Sequence, residues 1–347
     1  MALPASGTIS LNQVNVELGN SGTASINMGS SDVRGLFGVA SGAISMSNGY
    51  GASSGDIYGS RGIVAGGYSS TSPAGWTTNV EYFNTAGTIS SASFGTMLST
   101  FVNGQPLATT NGSRALFSAG ANTTVGTGYF TVATTGNATF FGNLTYNRTT
   151  GAACTNIVRG VFIAGSFTRY MDYHTIATTG NATTFGTFST AATFYPEGTQ
   201  SSSGRGIIAG GFPNPGDIKI LYITIATTGN TSTFGNLTVA TWNFAAGTNG
   251  SRAVWAGGQT ASGSNAPHNL MSYSTIGTTG NANTFGYLAT GNTSSVSGVS
   301  NGTKFFICGG DGPRNNIQVV TVATTGNSSS VATLSKTRQN SAATSGT

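Results

Sequence analysis

Eight acids and two histidines are all that this 347-residue chain offers for general acid–base chemistry near neutral pH. Glu17 and Asp32 fall in the first 55 residues. Asp56, Glu81, Asp172, Glu197, Asp217 and Asp311 are spread over the rest, no two of them within ten residues. Glycoside hydrolysis needs two carboxyl groups flanking one bond, and the pattern places no two acids at one strand end. His174 and His268 have no ligand neighbour at metal spacing, so neither a metal site nor any other cofactor is expected. The chain is read as a non-enzyme.

Binding is better supplied than catalysis. Thirteen basic residues give a net charge of +5, but they are scattered singly. A nucleic-acid surface clusters its cations among aromatics, so nucleic acid is not an expected partner. Six cations recur at equivalent sites: Arg61, Arg114, Arg159, Arg205, Arg252 and Lys304. Such a set has two uses. Each side chain can bond carbonyls or Asn side chains where two units meet, or the six can converge on an anion or acidic glycan along a common axis. A second candidate group lies in loops of irregular length. Trp76, Phe212 and His268 can stack on sugar rings, with Asn214, Asn265 and Asp311 as hydrogen-bond partners.

The elements that hold these residues come from a repeat. Each cation opens an apolar run ending in Gly-Gly or a similar pair, as in Arg61-Gly-Ile-Val-Ala-Gly-Gly67. From Arg61 to Lys304 is 243 residues in five steps, about 49 per copy. A Tyr- or Val-bearing stretch follows, then Thr-Thr-Gly-Asn, then Thr-Phe-Gly-x-Leu, as in Thr227 to Leu237. The first copy is degenerate there, with Ala86-Gly87-Thr88 and then Phe94-Gly95-Thr96-Met97. Cys308 stands where other copies carry Ala65, Ser118, Ile163, Ala209 and Ala256, so it reads as a small buried residue. The Asn-x-Thr triplets at Asn137, Asn143, Asn181 and Asn236, with Asn-x-Ser at Asn230, recur with the hairpin and are turn chemistry.

Each unit reads as four short antiparallel strands: the fully apolar run, the alternating Tyr strand, the Phe-Gly strand and the segment before each cation. Thr-Gly-Asn is expected to form a tight hairpin, because Gly and Asn tolerate positive φ. One such sheet exposes an apolar face, so the units must stack. The first copy lacks a segment before Arg61, while residues 335–347 supply a spare one. The ring is expected to close by pairing that segment beside residues 57–64. The fold class is therefore all-β, a six-bladed β-propeller of four-stranded blades over residues 56–347, preceded by a small mixed α/β module over residues 1–55. Connections alternate between two faces. The Thr-Thr-Gly-Asn hairpins and the Asn-Gly-Ser turns share a uniform face, and the loops after each Gly-Gly form a variable one, where recognition belongs.

The repeat resembles kelch-like propellers, whose units also pair a Gly-Gly strand with a Tyr-bearing one. It departs from them by placing Phe94, Phe141, Phe185, Phe234 and Phe285 where kelch units carry Trp. Outside the repeat, Ser10-Leu-Asn-Gln13 has capping-box form, and Leu11, Val14 and Leu18 predict a helix over 11–18. A further turn of helix is expected from Asp32, with Val33, Leu36 and Phe37. The echoed phrases Ser6 to Asn12 and Ser41 to Ser47 predict two flanking strands. About fifty residues with so few apolar groups fold marginally, so this module is expected to dock.

Leu3-Pro4-Ala5-Ser6-Gly7-Thr8-Ile9-Ser10, Val14-Asn15-Val16-Glu17-Leu18-Gly19 and Ser41-Gly42-Ala43-Ile44-Ser45-Met46 resemble the N-terminal segment of virion structural proteins in tailed bacteriophages, closest to those of marine cyanobacterial phages. The resemblance implies attachment to other virion or tail proteins through residues 1–55, in many copies. It implies a tail-fibre or appendage component displaying its propeller for adhesion to a host-surface glycan. The alternatives are a purely structural capsid or tail decoration protein and, less favoured, a glycan-active enzyme. Met1-Ala2-Leu3-Pro4 has no leader-like pattern and no apolar run is long enough to span a membrane, which suits a virion part assembled in the host cytoplasm.

Overall fold

The computed structural model describes residues 3–4, 6–18, 23, 25–30, 33–34, 37, 42–49, 59–71, 74–101, 104–118, 125–148, 150–165, 168–189, 197–199, 204–211, 218–260, 267–291, 293–312 and 314–346. Six four-stranded antiparallel sheets form a β-propeller. From the axis outward, blade 2 runs Ala108–Thr110, Arg114–Ser118, Gly126–Thr131 and Thr139–Asn143. Blade 3 runs Ala152–Thr155, Arg159–Ile163, Tyr170–Thr175 and Thr183–Thr187. Blade 4 runs Glu197–Thr199, Arg205–Ala209, Lys219–Thr224 and Ser232–Asn236. Blade 5 runs Ala245–Thr248, Arg252–Ala256, Leu270–Thr275 and Asn283–Tyr287, and blade 6 runs Ser297–Ser300, Lys304–Cys308, Asn316–Thr321 and Ser329–Thr333.

Blade 1 takes its inner strand from the far end of the chain. Ala342–Gly346 pairs antiparallel with Arg61–Ala65, followed outward by Asn79–Asn84 and Ser91–Thr96. The ring closes there, so the second strand of blade 1, like that of every other blade, is paired on both sides. Each inner strand also lies against the inner strands of its neighbours.

The core is six interfacial clusters, one per junction, not one central mass. Ile63, Val80 and Phe94 of blade 1 meet Ala115, Phe117 and Phe130 of blade 2. At the closing junction Val64 and Phe83 meet Phe306, Cys308 and Ile317 of blade 6, with Phe83 edge-on to Phe306 at 5.4 Å. The second strands are buried over four consecutive residues because both of their faces pack on neighbouring blades. A blade alone would leave half of this apolar surface in water, which is why the units are stable only as a ring.

A bulge explains how an edge strand buries a phenylalanine. In all six blades the third and outer strands slip register at one place, opposite the Phe-Gly pair or its Val331-Ala332 counterpart in blade 6. In blade 3, Met171 faces Gly186 and Asp172 faces Thr184, leaving Phe185 as the extra residue. The added twist turns that ring inward, and all five phenylalanines are buried.

The N-terminal segment contains a helix, Leu11–Glu17, with the capping box closed between Ser10 and Gln13. Val33, Arg34 and Phe37 are helical too. The expected flanking strands are not found among the described residues, so residues 1–55 are not a mixed α/β unit there. Local side-chain bonds take the place of a ladder: Ser10 caps the helix, and Asn48 Oδ1 accepts from the Ser45 N–H at 2.8 Å to close a 3-10 turn, Met46–Gly49. The buried helix face also differs from the expected one. Val14 and Asn15 are buried and Leu18 half-buried, whereas Leu11 is exposed. Leu3, Ile9, Val14, Val33 and Phe37 form a small cluster that packs on Ile157, in the turn between the first two strands of blade 3.

Candidate functional site

The six cations start the second strands, away from the axis, and five of them act as clasps. Arg61 Nη1 donates to the carbonyls of Val132 and Ala133 in blade 2, at 2.9 and 2.7 Å. Arg114 reaches Ile176 and Ala177, Arg205 reaches Ile276 and Gly277, Arg252 reaches Val322 and Ala323, and Arg159 reaches Ile225. Each guanidinium lies over a tyrosine of its own blade, 4.6–5.0 Å from the ring centre. Each tyrosine meets the bulged phenylalanine edge-on, as in Tyr82 and Phe94. Guanidinium stacking and carbonyl bonding both suit Arg's planar fork.

Blade 6 replaces all three members of that column, with Lys304, Val319 and Val331. Among the described residues Lys304 makes no such bond, and Asn301 Nδ2 reaches the Thr85 carbonyl of blade 1 instead, at 3.0 Å. The converging-anion reading is not how these groups are arranged. The axial channel is lined by Ala108, Ala153, Ala246, Gly298 and Ala343 with serine and threonine hydroxyls.

Thr-Thr-Gly-Asn also does something other than expected. Its glycines and asparagines do not have positive φ. The segment lies along the outer strand of the preceding blade. Gly280 N–H donates to Phe234 O at 2.9 Å, Ala282 N–H to Asn236 O at 2.7 Å, and Asn281 Oδ1 accepts from the Asn236 N–H at 3.0 Å. The same set recurs with Gly136 on Phe94, Gly180 on Phe141, Gly229 on Phe185 and Gly326 on Phe285. The partner glycine is the restricted one. A Cβ on Gly95, Gly142, Gly186, Gly235 or Gly286 would overlap the carbonyl of the apposed glycine. Blade 6 carries Ala332 in this slot, and the blade that follows it, blade 1, lacks Thr-Thr-Gly-Asn. The two motifs are halves of one joint.

On the opposite face, His268, Asp311 and Trp76 sit in the loops of blades 5, 6 and 1. The first two loops flank one linker: the Thr293 N–H donates to His268 O, and the Asp311 N–H to Ser294 O. Trp76 is half-buried, edge-on to Tyr68 at 5.8 Å. His268 Nδ1 accepts from the Leu270 N–H, so Nε2 carries the proton and faces Thr241 Oγ1 at 3.1 Å. Burial lowers its pKa, so it is neutral at pH 7. Asp311 is exposed and caps Gly312. Phe212, Asn214 and Asn265 lie outside the described residues.

Set against protein-family models and curated proteins, the sequence matches none.

Three arrangements escape reading by repeat. Arg148, in the linker from blade 2 to blade 3, is fully buried against Asp172. Arg338, in the linker from blade 6 to blade 1, pairs with Glu81 at 3.0 Å. Asp172 and Glu81 share one slot of the third strand, where blade 4 has Leu221. Two of the eight acids are thus committed to holding linkers. The second is a pair of stacked, exposed tyrosines, Tyr146 and Tyr170, with ring centres 4.3 Å apart and planes 9° apart. Aligning the position two after each Leu of Phe-Gly-x-Leu with the first residue of each third strand would have brought them together.

The third is His174, buried between Phe141 and Phe162 with Nε2 3.1 Å from Thr127 Oγ1. Burial drives its pKa from 6.5 to about 4. The folded form therefore resists a proton that the unfolded chain accepts. Stability from this group is full above pH 6.5 and falls as the pH drops toward 4, by about 3 kcal/mol in all. His174→Phe with Thr127→Val restores the apolar types of blade 1 at these slots, Phe83 and Val80. Urea unfolding at pH 7 and pH 4 is expected to show a smaller acid loss in that double variant than in the parent. Equal losses would remove His174 as the cause.

Cys154 and Cys308 are both buried, and burial pushes their thiols up, so neither is a nucleophile.

Proposed function

We propose that this chain is a non-enzymatic structural protein of a tailed-phage virion, a tail-fibre or appendage component that displays its propeller toward host-surface glycan. The phage assignment is supported by the resemblance of residues 1–55. The observation that carries the orientation is the seat of those residues on Ile157, which belongs to the uniform face. Attachment through residues 1–55 to tail proteins would leave the variable loops pointing away from the particle, where sequence differences cost the ring nothing. The sparse and committed acids speak against catalysis.

A second reading, a decoration protein of capsid or tail with no receptor, is favoured by the axial channel, whose described lining carries no aromatic or charged side chain. Adhesion predicts that the full chain binds host-surface polysaccharides on a glycan array, and that Trp76→Ala weakens binding without lowering the thermal midpoint. An array on which the full chain binds nothing would leave the decoration reading in place.

A further inference from the structure

We propose that Tyr146 and Tyr170 form a platform for a neutral saccharide, on the rim of the variable face between blades 2 and 3; this deepens the adhesion reading and rests on it. Both rings are exposed, at 38% and 44%, yet they lie parallel and stacked instead of folding inward. Tyr146 sits in the linker leaving blade 2, and Tyr170 opens the third strand of blade 3.

The same two slots are described in four of the five other junctions. They hold Ser99 with Gly126, Val239 with Leu270, Thr290 with Asn316, and Lys336 with Asn79. Among these, only the blade 2–blade 3 junction has aromatics. The fold does not need the rings at this place, since four junctions are built without them.

The platform is held from beneath. Arg148 Nη1 donates to the Tyr170 carbonyl at 3.2 Å and to Phe162 O at 2.8 Å, while its Nη2 meets Asp172, which also accepts from Thr145 Oγ1. Residues 145–148 and the start of the third strand are thus fixed to one another by a fully buried ion pair. Two rings ordered before a ligand arrives lose little entropy on binding it.

The surroundings choose the class of ligand. The sequence neighbours Thr145, Asn147 and Arg169 are exposed and polar. A flat aromatic face presents negative charge density to the C–H face of a pyranose, and the polar rim can meet its hydroxyl edge. A nucleic acid would want several exposed cations along its backbone, and with Arg148 buried on Asp172 these segments expose Arg169 alone. The carboxylate that could have served a cationic ligand, Asp172, is spent on Arg148.

The test uses the full chain with a glycan array and saturation-transfer NMR on cellohexaose, maltohexaose and chitohexaose. The variants are Tyr146→Ser and Tyr170→Asn, residues that the same slots carry in other blades, each checked for an unchanged thermal midpoint. Loss of one ring is expected to weaken binding about tenfold and to abolish saturation transfer from the tyrosine protons. Tyr170→Phe, which keeps the stack, is expected to bind within about threefold of the parent. If the parent binds a neutral glycan and both ring-deleting variants bind it equally well, the platform is refuted while adhesion stands. If the parent binds no glycan at all, adhesion fails and the platform with it.

Discussion

Asp172→Ala is expected to destabilise the full chain by about 3–5 kcal/mol in urea unfolding at pH 7. The carboxylate is the counter-ion of the Arg148 guanidinium, and both side chains are wholly buried. Removing it leaves a buried charge whose remaining bonds run to the carbonyls of Phe162 and Tyr170, and it frees Thr145 as well. Breaking a buried pair costs far more than exchanging it. Arg148→Met with Asp172→Leu is therefore expected to recover most of the loss, since Leu221 fills the equivalent slot in blade 4. A single-variant loss below about 1 kcal/mol would show that water reaches the pair.

Gly235→Ala is expected to cost about 3 kcal/mol, whereas Gly280→Ala, across the same joint, should cost little. The Cβ at 235 would overlap the Gly280 carbonyl oxygen, which is backbone and fixed by the bond from Gly280 N–H to Phe234 O. Overpacking against an immobile group sits at the upper end of its usual range. The Cβ at 280 meets nothing within 4 Å, and this glycine does not have positive φ. Comparing the unfolding midpoints of the two variants separates steric closeness from glycine content. If both are equally harmful, the joint is held by backbone conformation and not by contact.

Much of the ring was legible because a repeat shows its own grammar. Apolar runs after each cation became second strands, the Tyr stretches became third strands, and the unmatched C-terminal segment became the inner strand of blade 1. Cation and tyrosine could be placed in register from the strand pattern, yet their stacking could not, because it depends on twist between strands. Thr-Thr-Gly-Asn does join the antiparallel third and outer strands, as expected of a hairpin, but the positive φ expected of its Gly and Asn is missing, for a related reason. Local propensity treats Gly and Asn as turn residues, but here their partners belong to the blade before. Residue type and loop position single out candidate binding residues but say nothing of the distances among their side chains. Tyr146 and Tyr170, 24 positions apart, were passed over.

The amino-acid sequence by itself determined the number of blades, the strand order within each and the place where the ring closes. Periodicity and a count of segments suffice for these, since every blade must bury the same faces. Only the tertiary structure decided what joins one blade to the next. Arg on carbonyl, Gly against carbonyl, Arg148 with Asp172 and Tyr146 on Tyr170 are contacts between residues far apart along the chain, formed across a junction whose angle no single repeat contains. The acids show the difference most plainly. As isolated letters Asp172 and Glu81 carried no assigned role, and burial beside arginine makes them fasteners.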